Sequence, residues 1–203
     1  MVSPDQAPIL IGHSWGAMLV AAYLGQNPNA AHSAVLIEPG YPDSAGRAAW
    51  EAESAPFMSG FRYGWQAITM GFRAQHVLGP DDAAQDDFLF GHMVGLFANH
   101  PDNPYHCGGG YTAPSWRFGA LSSTTWRDAP AATVDKIGAN LAAFRGPVLL
   151  LAGECDDWLG PLQSEHLARF ANAELATIAG AGHDVVWDNG QATLAEIRRF
   201  LNE

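Results

Sequence analysis

Three short apolar runs, each bounded by turn-forming residues, stand out along the chain. They are Pro8–His13, Ala34–Glu38 and Pro147–Ala152, and a more mixed run follows at Glu174–Ala179. Runs of this length that are apolar at nearly every position are typical of strands buried in a parallel sheet. We therefore predict four parallel strands.

Helical patterns lie between and after these runs. Trp15–Leu24 is apolar on nearly every side, which predicts a helix buried all round. Pro161–Phe170 follows the third predicted strand, and Gln191–Leu201 is predicted to close the chain. Alternation of strands and helices indicates an α/β fold with a parallel sheet.

Residues 39–145 interrupt this alternation. The stretch is rich in aromatic residues, glycine and proline, and it has helical patterns at Arg47–Ala55, Gly64–Ala74 and Asp86–Asn99. An insertion of this length between neighbouring strands is expected to form a helical cap or lid. The predicted organisation is a core made of residues 1–38 and 146–203, with residues 39–145 as the cap.

Charge and composition narrow the range of partners. The 203 residues include 21 Asp and Glu but only 10 Lys and Arg, so the formal net charge is −11. This excludes nucleic-acid binding and disfavours binding to anionic membranes. No signal peptide or membrane-spanning run is visible, which predicts a cytoplasmic protein. Cys107 and Cys155 have neither the number nor the spacing of a disulfide framework or zinc site, and we expect reduced thiols.

The sharpest local motif is the pentapeptide G-H-S-W-G, which runs from Gly12 to Gly16 and has Ser14 at its centre. A predicted strand precedes it and a predicted helix follows it. This is the context in which a G-x-S-x-G sequence exposes a nucleophilic serine on a sharp strand-to-helix turn. The flanking glycines are expected to relieve crowding in that turn, and the helix N-terminus favours developing negative charge.

A nucleophilic serine needs a general base. His183 is the best candidate, because it lies in a loop of small residues directly after the last predicted strand, at the sheet edge where sites in this fold class form. His13 adjoins the serine, but neighbouring strand residues point to opposite faces. The remaining histidines are expected to have structural or surface roles: His32, His76, His92, His100, His106 and His166.

The base in turn needs an orienting acid, and Asp156 follows directly after the third predicted strand. It is the favoured candidate because it is nearer the strand end, and Asp157 is the alternative acid. The order Ser14, Asp156, His183 is the order found in α/β-hydrolases. We expect no metal and no organic cofactor, because no His, Cys or Asp cluster has the spacing of metal ligands.

The chain resembles the α/β-hydrolase superfamily, in particular capped members similar to proline iminopeptidases and related esterases. The resemblance extends from Ala7 to Phe200 and is carried by GHSWGA at residues 12–17, LLLAGECDD at 149–157 and AGAGHDVVWD at 179–188. It implies that Ser14 is the nucleophile, Asp156 the acid and His183 the base. It also implies that the backbone N–H of Trp15 contributes to the oxyanion hole.

The chain departs from this family at its N-terminal end. Family members have about four strands and a His-Gly type loop before the serine, whereas 13 residues precede Ser14 here. We therefore expect the carboxyl-terminal part of the fold, with an exposed apolar edge at the first strand and one oxyanion donor missing. The expected occupants of that edge are a second copy of the chain or another chain that completes the sheet.

The function expected from these features is that of a serine hydrolase. It would cleave an ester, amide or short peptide bond of a small-molecule substrate through an acyl-enzyme on Ser14. The alternative is a non-catalytic or inactive truncated homologue that acts as a fragment or as a binding or assembly subunit.

Overall fold

Four parallel strands form one sheet, in the order β1-β2-β3-β4, in a computed structural model that describes residues 7–79, 81–98, 100, 107 and 125–202. The strands are β1 (Ile9–His13), β2 (Ser33–Ile37), β3 (Val148–Gly153) and β4 (Ala173–Ile178). Each strand pairs in parallel with the next one along the chain, and Gly12 lies opposite Leu36. The predicted α/β fold with four parallel strands is confirmed.

Eight α-helices accompany the strands in the described residues. They are α1 (Trp15–Gln26), α2 (Ser44–Ser54), α3 (Gly60–Ala74), α4 (Ala84–Ala98), α5 (Ala131–Val134), α6 (Gly160–Arg169), α7 (Val185–Asp188) and α8 (Gly190–Leu201). Two 3₁₀ turns cover Ala55–Met58 and Leu141–Ala143. In the part of the chain that the structure describes, no helix is long and apolar enough to span a membrane.

The two central strands form the centre of the core, and every residue of β2 and β3 is buried. On one face, Val35 and Leu149 pack in a cluster with Val185 of α7, and Ile197 and Phe200 of α8 pack against it. On the other face α1 packs against β1 and β2. Both faces of the sheet are therefore covered, which explains why these strands are continuous apolar runs.

Helix α1 is not buried all round, contrary to the sequence prediction. Ala17, Ala21 and Leu24 are fully buried, but Leu19 and Tyr23 are 53% and 49% exposed. Described residues cover the side of α1 that packs on the sheet and the end of the helix near the 3₁₀ turn at Leu141–Ala143. Its apolar composition therefore overstates how much of the helix this chain buries.

The chain divides into two compact units. The first contains residues 1–50, 104–107 and 131–203, and includes the sheet; the second contains residues 51–103 and 108–130. Residues 39–50 and 131–145, which we assigned to the cap, thus lie in the unit of the sheet. The role of the second unit as a cap over a site stays a prediction.

Within the second unit, the described residues form helices α3 and α4, which pack against each other. The three helical patterns predicted in the insertion correspond to α2, α3 and α4, although Asn99 lies outside the described residues. One stripe of α3 is apolar and exposed, and consists of Phe61, Trp65, Ile68 and Phe72. Its spacing of three and four residues places these side chains on one face of the helix.

The two cysteines are paired, so the expectation of reduced thiols is wrong for this structure. Cys107 and Cys155 form a disulfide with their Cα atoms 5.8 Å apart, across 48 residues of sequence. The number and spacing of cysteines could not reveal the pair, because the fold brings together two segments that are distant in sequence.

Candidate active site

Ser14 lies at the turn between β1 and α1. Its φ of 52° is in the left-handed region, which is unusual for a residue with a side chain. Its N–H donates to the carbonyl of Ile37 at 2.9 Å, and its own carbonyl accepts from the N–H of Ala17 and Met18. The turn is thereby fixed on both sides, and it presents Ser14 at the N-terminus of α1.

The two glycines that flank the serine differ in their surroundings. A Cβ on Gly12 would come within 2.5 Å of the backbone of Gly16, so this position requires glycine. A Cβ on Gly16 would meet no described atom within 4 Å. Crowding in the turn thus explains the first glycine, and not the second.

His183 lies in the loop after β4 and is 1% exposed. Its Nε2 is 2.8 Å from Oγ of Ser14, which is hydrogen-bond distance. The Gly182 N–H donates to Oδ2 of Asp188 at 2.8 Å, so the loop is tied to the helix that follows it. The sequence singles out this serine and this histidine, and the structure brings them together from two separate strand ends.

Asp156 lies in the loop after β3 and is 3% exposed. Its Oδ1 accepts from the N–H groups of Trp158 and Leu159, at 3.1 and 2.9 Å. Its Oδ2 is 3.5 Å from Nδ1 of His183, a distance longer than a normal hydrogen bond. Asp157 is exposed. Of the two candidate acids, the structure brings Asp156 to the histidine.

The acid loop and the histidine loop pack against each other without a side chain between them. A Cβ on Gly153, the last residue of β3, would overlap the carbonyl oxygens of Ala181 and Gly182. Glycine at this position allows the two loops to approach, and the approach brings Asp156 within reach of His183.

Trp15 is the first residue of α1, directly after the serine. Backbone N–H groups in the first turn of a helix point toward its N-terminus. This position is compatible with the oxyanion role that the resemblance implies for Trp15, and that role stays a prediction.

Two residues near the site were missed by the sequence reasoning, and His13 is the first. Its Nε2–H donates to the carbonyl of His183 at 2.9 Å, and the two rings lie 5.1 Å apart. Burial, and then the proximity of His183, lower the pKa of His13. The alternation of strand side chains does not separate His13 from Ser14, because β1 ends at His13 and Ser14 already lies in the turn.

Glu38, the second such residue, directly follows β2 and is fully buried. Its carboxylate accepts from the N–H of Gly153 and, at 3.1 Å, from Nε2 of Gln163. Burial is the largest cause that raises the pKa of Glu38, to about 9, and the charge of Asp156 adds to it. The available signal was a carboxylate at the end of a buried strand, the same signal that identified Asp156.

Glu38, Asp156 and His183 also form the group in the described residues that could hold a metal ion, with one ligand atom from each lying within 4.8 Å of the others. The three residues come from different loops, so spacing along the sequence could not reveal the group. In this group the carboxyl of Glu38 accepts two hydrogen bonds, and Oδ2 of Asp156 lies 3.5 Å from Nδ1 of His183.

The other described histidines lack this placement. His166 is buried in α6, and its Nε2 lies 3.3 Å from the carbonyl of Gly40. Burial lowers its pKa to about 4, so it is a neutral packing residue near pH 7. His92 interacts with the carbonyl of Phe88 within α4. His106 lies outside the described residues.

Comparisons with known proteins identify the family of the chain. The model of the alpha/beta hydrolase family matches residues 2–197, and the chain belongs to that family. Over 66 residues, 32% of this chain and 3% of the relative, it is 41% identical to a polyketide synthase, ThaQ, from Burkholderia thailandensis.

Two solved structures illustrate the similarity in fold. Est816, described as an N-acyl homoserine lactone degrading enzyme, is 15% identical, with a TM-score of 0.54 over 95% of this chain and 66% of its own. A carboxylesterase structure from Nitrososphaera gargenis is 20% identical, with a TM-score of 0.55 over 96% of this chain and 64% of its own. The chain therefore spans about two thirds of the length of these relatives.

Proposed function

We propose that this chain is a serine hydrolase that cleaves an ester, amide or short peptide bond of a small substrate through an acyl-enzyme on Ser14. The observation that carries the proposal is the 2.8 Å contact between Oγ of Ser14 and Nε2 of His183. A nucleophile within hydrogen-bond reach of a base, and a base oriented by an acid, is the arrangement that this chemistry requires.

In the proposed reaction, His183 accepts the Ser14 hydroxyl proton as Oγ forms a bond to the substrate carbonyl carbon. Collapse of the tetrahedral intermediate breaks the bond to the leaving group, which takes the proton from His183. Water then attacks the acyl-enzyme with the same base, which frees the acid product and restores Ser14. Asp156 keeps the proton on Nδ1 of His183 and stabilises the imidazolium. The Trp15 N–H stabilises the negative oxygen.

The strained backbone of Ser14 supports the same proposal. A non-glycine residue at positive φ is held there only by its surroundings, and such residues cluster at functional sites. Here the close approach of Gly12 to Gly16 and three backbone hydrogen bonds hold it.

The bond type in the substrate is left open among esters, amides and short peptides. Est816 is described as degrading an N-acyl homoserine lactone and the other structure as a carboxylesterase, and we propose an ester as the first substrate class to assay. We propose no cofactor for the reaction, since each step uses groups of the chain and water.

A second candidate function is favoured by one observation, the two-thirds coverage of the relatives. On this hypothesis the chain is a non-catalytic or inactive homologue that acts as a binding or assembly subunit. The exposed Ile9 and Ile11 of β1 would then be where a second copy, or another chain, completes the sheet.

The two candidates are distinguished by labelling with a fluorophosphonate probe, which reacts with activated serines. We expect the folded chain to be labelled and Ser14→Ala, verified as folded by circular dichroism, to remain unlabelled. Hydrolysis of a p-nitrophenyl ester by the same two proteins gives a second reading. If folded wild-type protein is neither labelled nor active, the chain alone is not a hydrolase and the second candidate is preferred.

The role of His183 as base is tested by the dependence of ester hydrolysis on pH. Protonated imidazole cannot accept the serine proton, so we expect the rate to fall as the solution is acidified. A rate that does not fall in acid, in protein that remains folded, would contradict the assignment.

A further inference from the structure

Glu38 is a buried carboxyl group that the reaction proposed above does not use. It is 0% exposed, and its backbone φ is 43°, in the left-handed region. Both features are unfavourable, because burial of a carboxyl group requires hydrogen bonds and a residue with a side chain rarely adopts this conformation. A residue retained under two such penalties calls for a functional explanation.

The hydrogen bonds of Glu38 lie at the two ends of the loop that carries Asp156. Oε1 accepts from the N–H of Gly153, the last residue of β3. Oε2 accepts from Nε2 of Gln163, in the first turns of α6. That same amide nitrogen lies 2.9 Å from the carbonyl of Pro39. Glu38 thus connects the end of β2 to both sides of the loop, residues 154–159.

Inside the loop, Asp156 is held by backbone groups alone. Its Oδ1 accepts two N–H bonds, and its Oδ2 faces His183 at 3.5 Å. A shift of a few tenths of an ångström in the loop decides whether that last contact is a hydrogen bond. The Cys107–Cys155 disulfide fixes the loop at its centre, and Glu38 fixes it from outside at its two ends, so the position of Asp156 depends on the contacts of Glu38.

The charge state of Glu38 affects the same pair. The titratable groups that face it are Asp156, from the loop after β3, and His183, from the loop after β4. On α6, Gln163 is uncharged, and His166 near Gly40 is neutral because its pKa is lowered to about 4. Burial, with the charge of Asp156, raises the pKa of Glu38 to about 9. Near pH 7 Glu38 is therefore neutral where it lies beside Asp156 and His183.

We propose that Glu38 is a positioning residue whose hydrogen bonds to Gly153 and Gln163 hold the Asp156 loop within reach of His183. This inference rests on the hydrolase function proposed above, and deepens it by assigning a fourth side chain to the site. Glu38 does not touch the substrate, and it acts through Asp156.

The test compares the folded variants Glu38→Ala and Glu38→Gln with Glu165→Ala, which removes an exposed glutamate from α6. We expect Glu38→Ala to lower kcat for ester hydrolysis about 10- to 100-fold, because misplacement of a catalytic group by about 1 Å has an effect of this size. We expect KM to change little, and Glu38→Gln to recover most of the lost kcat. If the kcat of folded Glu38→Ala equals that of Glu165→Ala, the proposal is wrong.

The pH profile separates positioning from simple packing. Ionisation of Glu38 puts a second negative charge beside Asp156, so we expect the wild-type kcat to fall as the pH rises through about 9. Glu38→Gln cannot ionise and should lack this fall. If kcat falls equally in both proteins at alkaline pH, Glu38 does not act as a neutral carboxyl group.

If Glu38→Ala does not fold, Gln163→Leu takes its place, because it removes only the hydrogen bond at the α6 end. We then expect a smaller loss of kcat, with KM again nearly unchanged. An unchanged kcat in folded Gln163→Leu would contradict the proposal that Glu38 and Gln163 hold the Asp156 loop in place.

Amide hydrogen exchange at Gly153 distinguishes a failure of this proposal from a failure of the hydrolase function. Loss of the Glu38 acceptor should speed exchange at Gly153 in Glu38→Ala, while Glu38→Gln should exchange like the wild type. If the wild-type protein is not labelled by the fluorophosphonate but shows this exchange pattern, the hydrolase function is wrong and Glu38 still holds the Asp156 loop. If the wild-type protein is labelled but Gly153 exchange is unchanged in Glu38→Ala, only the proposed role of Glu38 is wrong.

Discussion

The serine half of the candidate site and its acid–base half are built in different environments. Ser14 lies between β1, where Ile9 and Ile11 are 43% and 52% exposed, and α1, which also has exposed apolar residues. Asp156 and His183 are almost completely buried, in loops that touch through glycine. The turn at Ser14 is held by backbone bonds close in sequence and by β2, whereas the acid–base pair depends on tight interior packing.

This contrast has a consequence for sensitivity to mutation. Substitutions in the buried half should disturb both stability and the geometry of the site, because packed interiors do not relax freely. Substitutions on the open face of β1 and α1 should be tolerated, unless a partner covers that face.

The largest expected effect is on activity, in the acid loop. Asp156→Asn should lower kcat about 10⁴-fold with the fold retained, because the amide no longer holds the correct tautomer of His183. Asp157→Asn, one position along and exposed, should stay within about twofold of wild type, as surface substitutions usually do. Ester hydrolysis by the two variants decides between the two candidate acids, and the opposite ranking would assign the role to Asp157.

The second-largest expected effect is on stability, and it is tested by comparing two leucines of α1. Leu24 is fully buried and Leu19 is 53% exposed. Leu24→Ala should lower the free energy of unfolding by about 3 kcal/mol, and Leu19→Ala by less than about 1 kcal/mol. Urea unfolding measures both. Similar losses in the two variants would mean that the open face of α1 is covered in solution, for example by a second copy.

A smaller effect is expected where the two loops meet. Gly153→Ala would force a Cβ into the carbonyl oxygens of the histidine loop, whereas a Cβ on Gly160 would meet no described atom within 4 Å. We expect Gly153→Ala to lower stability by about 1–3 kcal/mol and to reduce activity in the protein that still folds. Gly160→Ala should change neither by much. Thermal unfolding and ester hydrolysis test the pair, and an active, stable Gly153→Ala would show that the loops can separate without loss of the site.

The last expected effect, which is small for each step of pH, is a slope of stability with pH. Since the pKa of Glu38 is about 9 in the folded chain and 4.5 ordinarily, the folded state binds one more proton between these values. The contribution of Glu38 to stability therefore falls as the pH rises from about 4.5 to 9, by up to about 1.4 kcal/mol per pH unit. Urea unfolding at several pH values should show a flatter profile for Glu38→Gln. Parallel profiles would mean that Glu38 is ionised in the folded state.

Much of the fold could be predicted, because buried parallel strands are short continuous apolar runs. The four predicted strands agree with the observed ones to within one residue at each end, and the long helices agree to within a few residues. The exposed face of α1 could not be predicted. An apolar sequence shows that a helix can be buried, but it does not show whether this chain supplies the residues that bury it.

The candidate site divides in the same way. Ser14, Asp156 and His183 could be proposed because each lies in the turn or loop that follows a strand, and parallel strands bring their carboxyl ends to one edge. The choice of Asp156 over Asp157, and the placement of Glu38 and His13, required distances between segments far apart in sequence. The same holds for the pairing of Cys107 with Cys155.

The sequence by itself therefore determined the four strands, the turn at Ser14 and the order of the three candidate catalytic residues, since these follow from local patterns and short-range backbone chemistry. Only the tertiary structure decided which carboxylate reaches the histidine, which buried acid supports the loop and which apolar faces remain open. Those properties depend on the approach of separate segments to within a few ångströms, and on the loss of solvent around them, and neither is encoded in a local pattern.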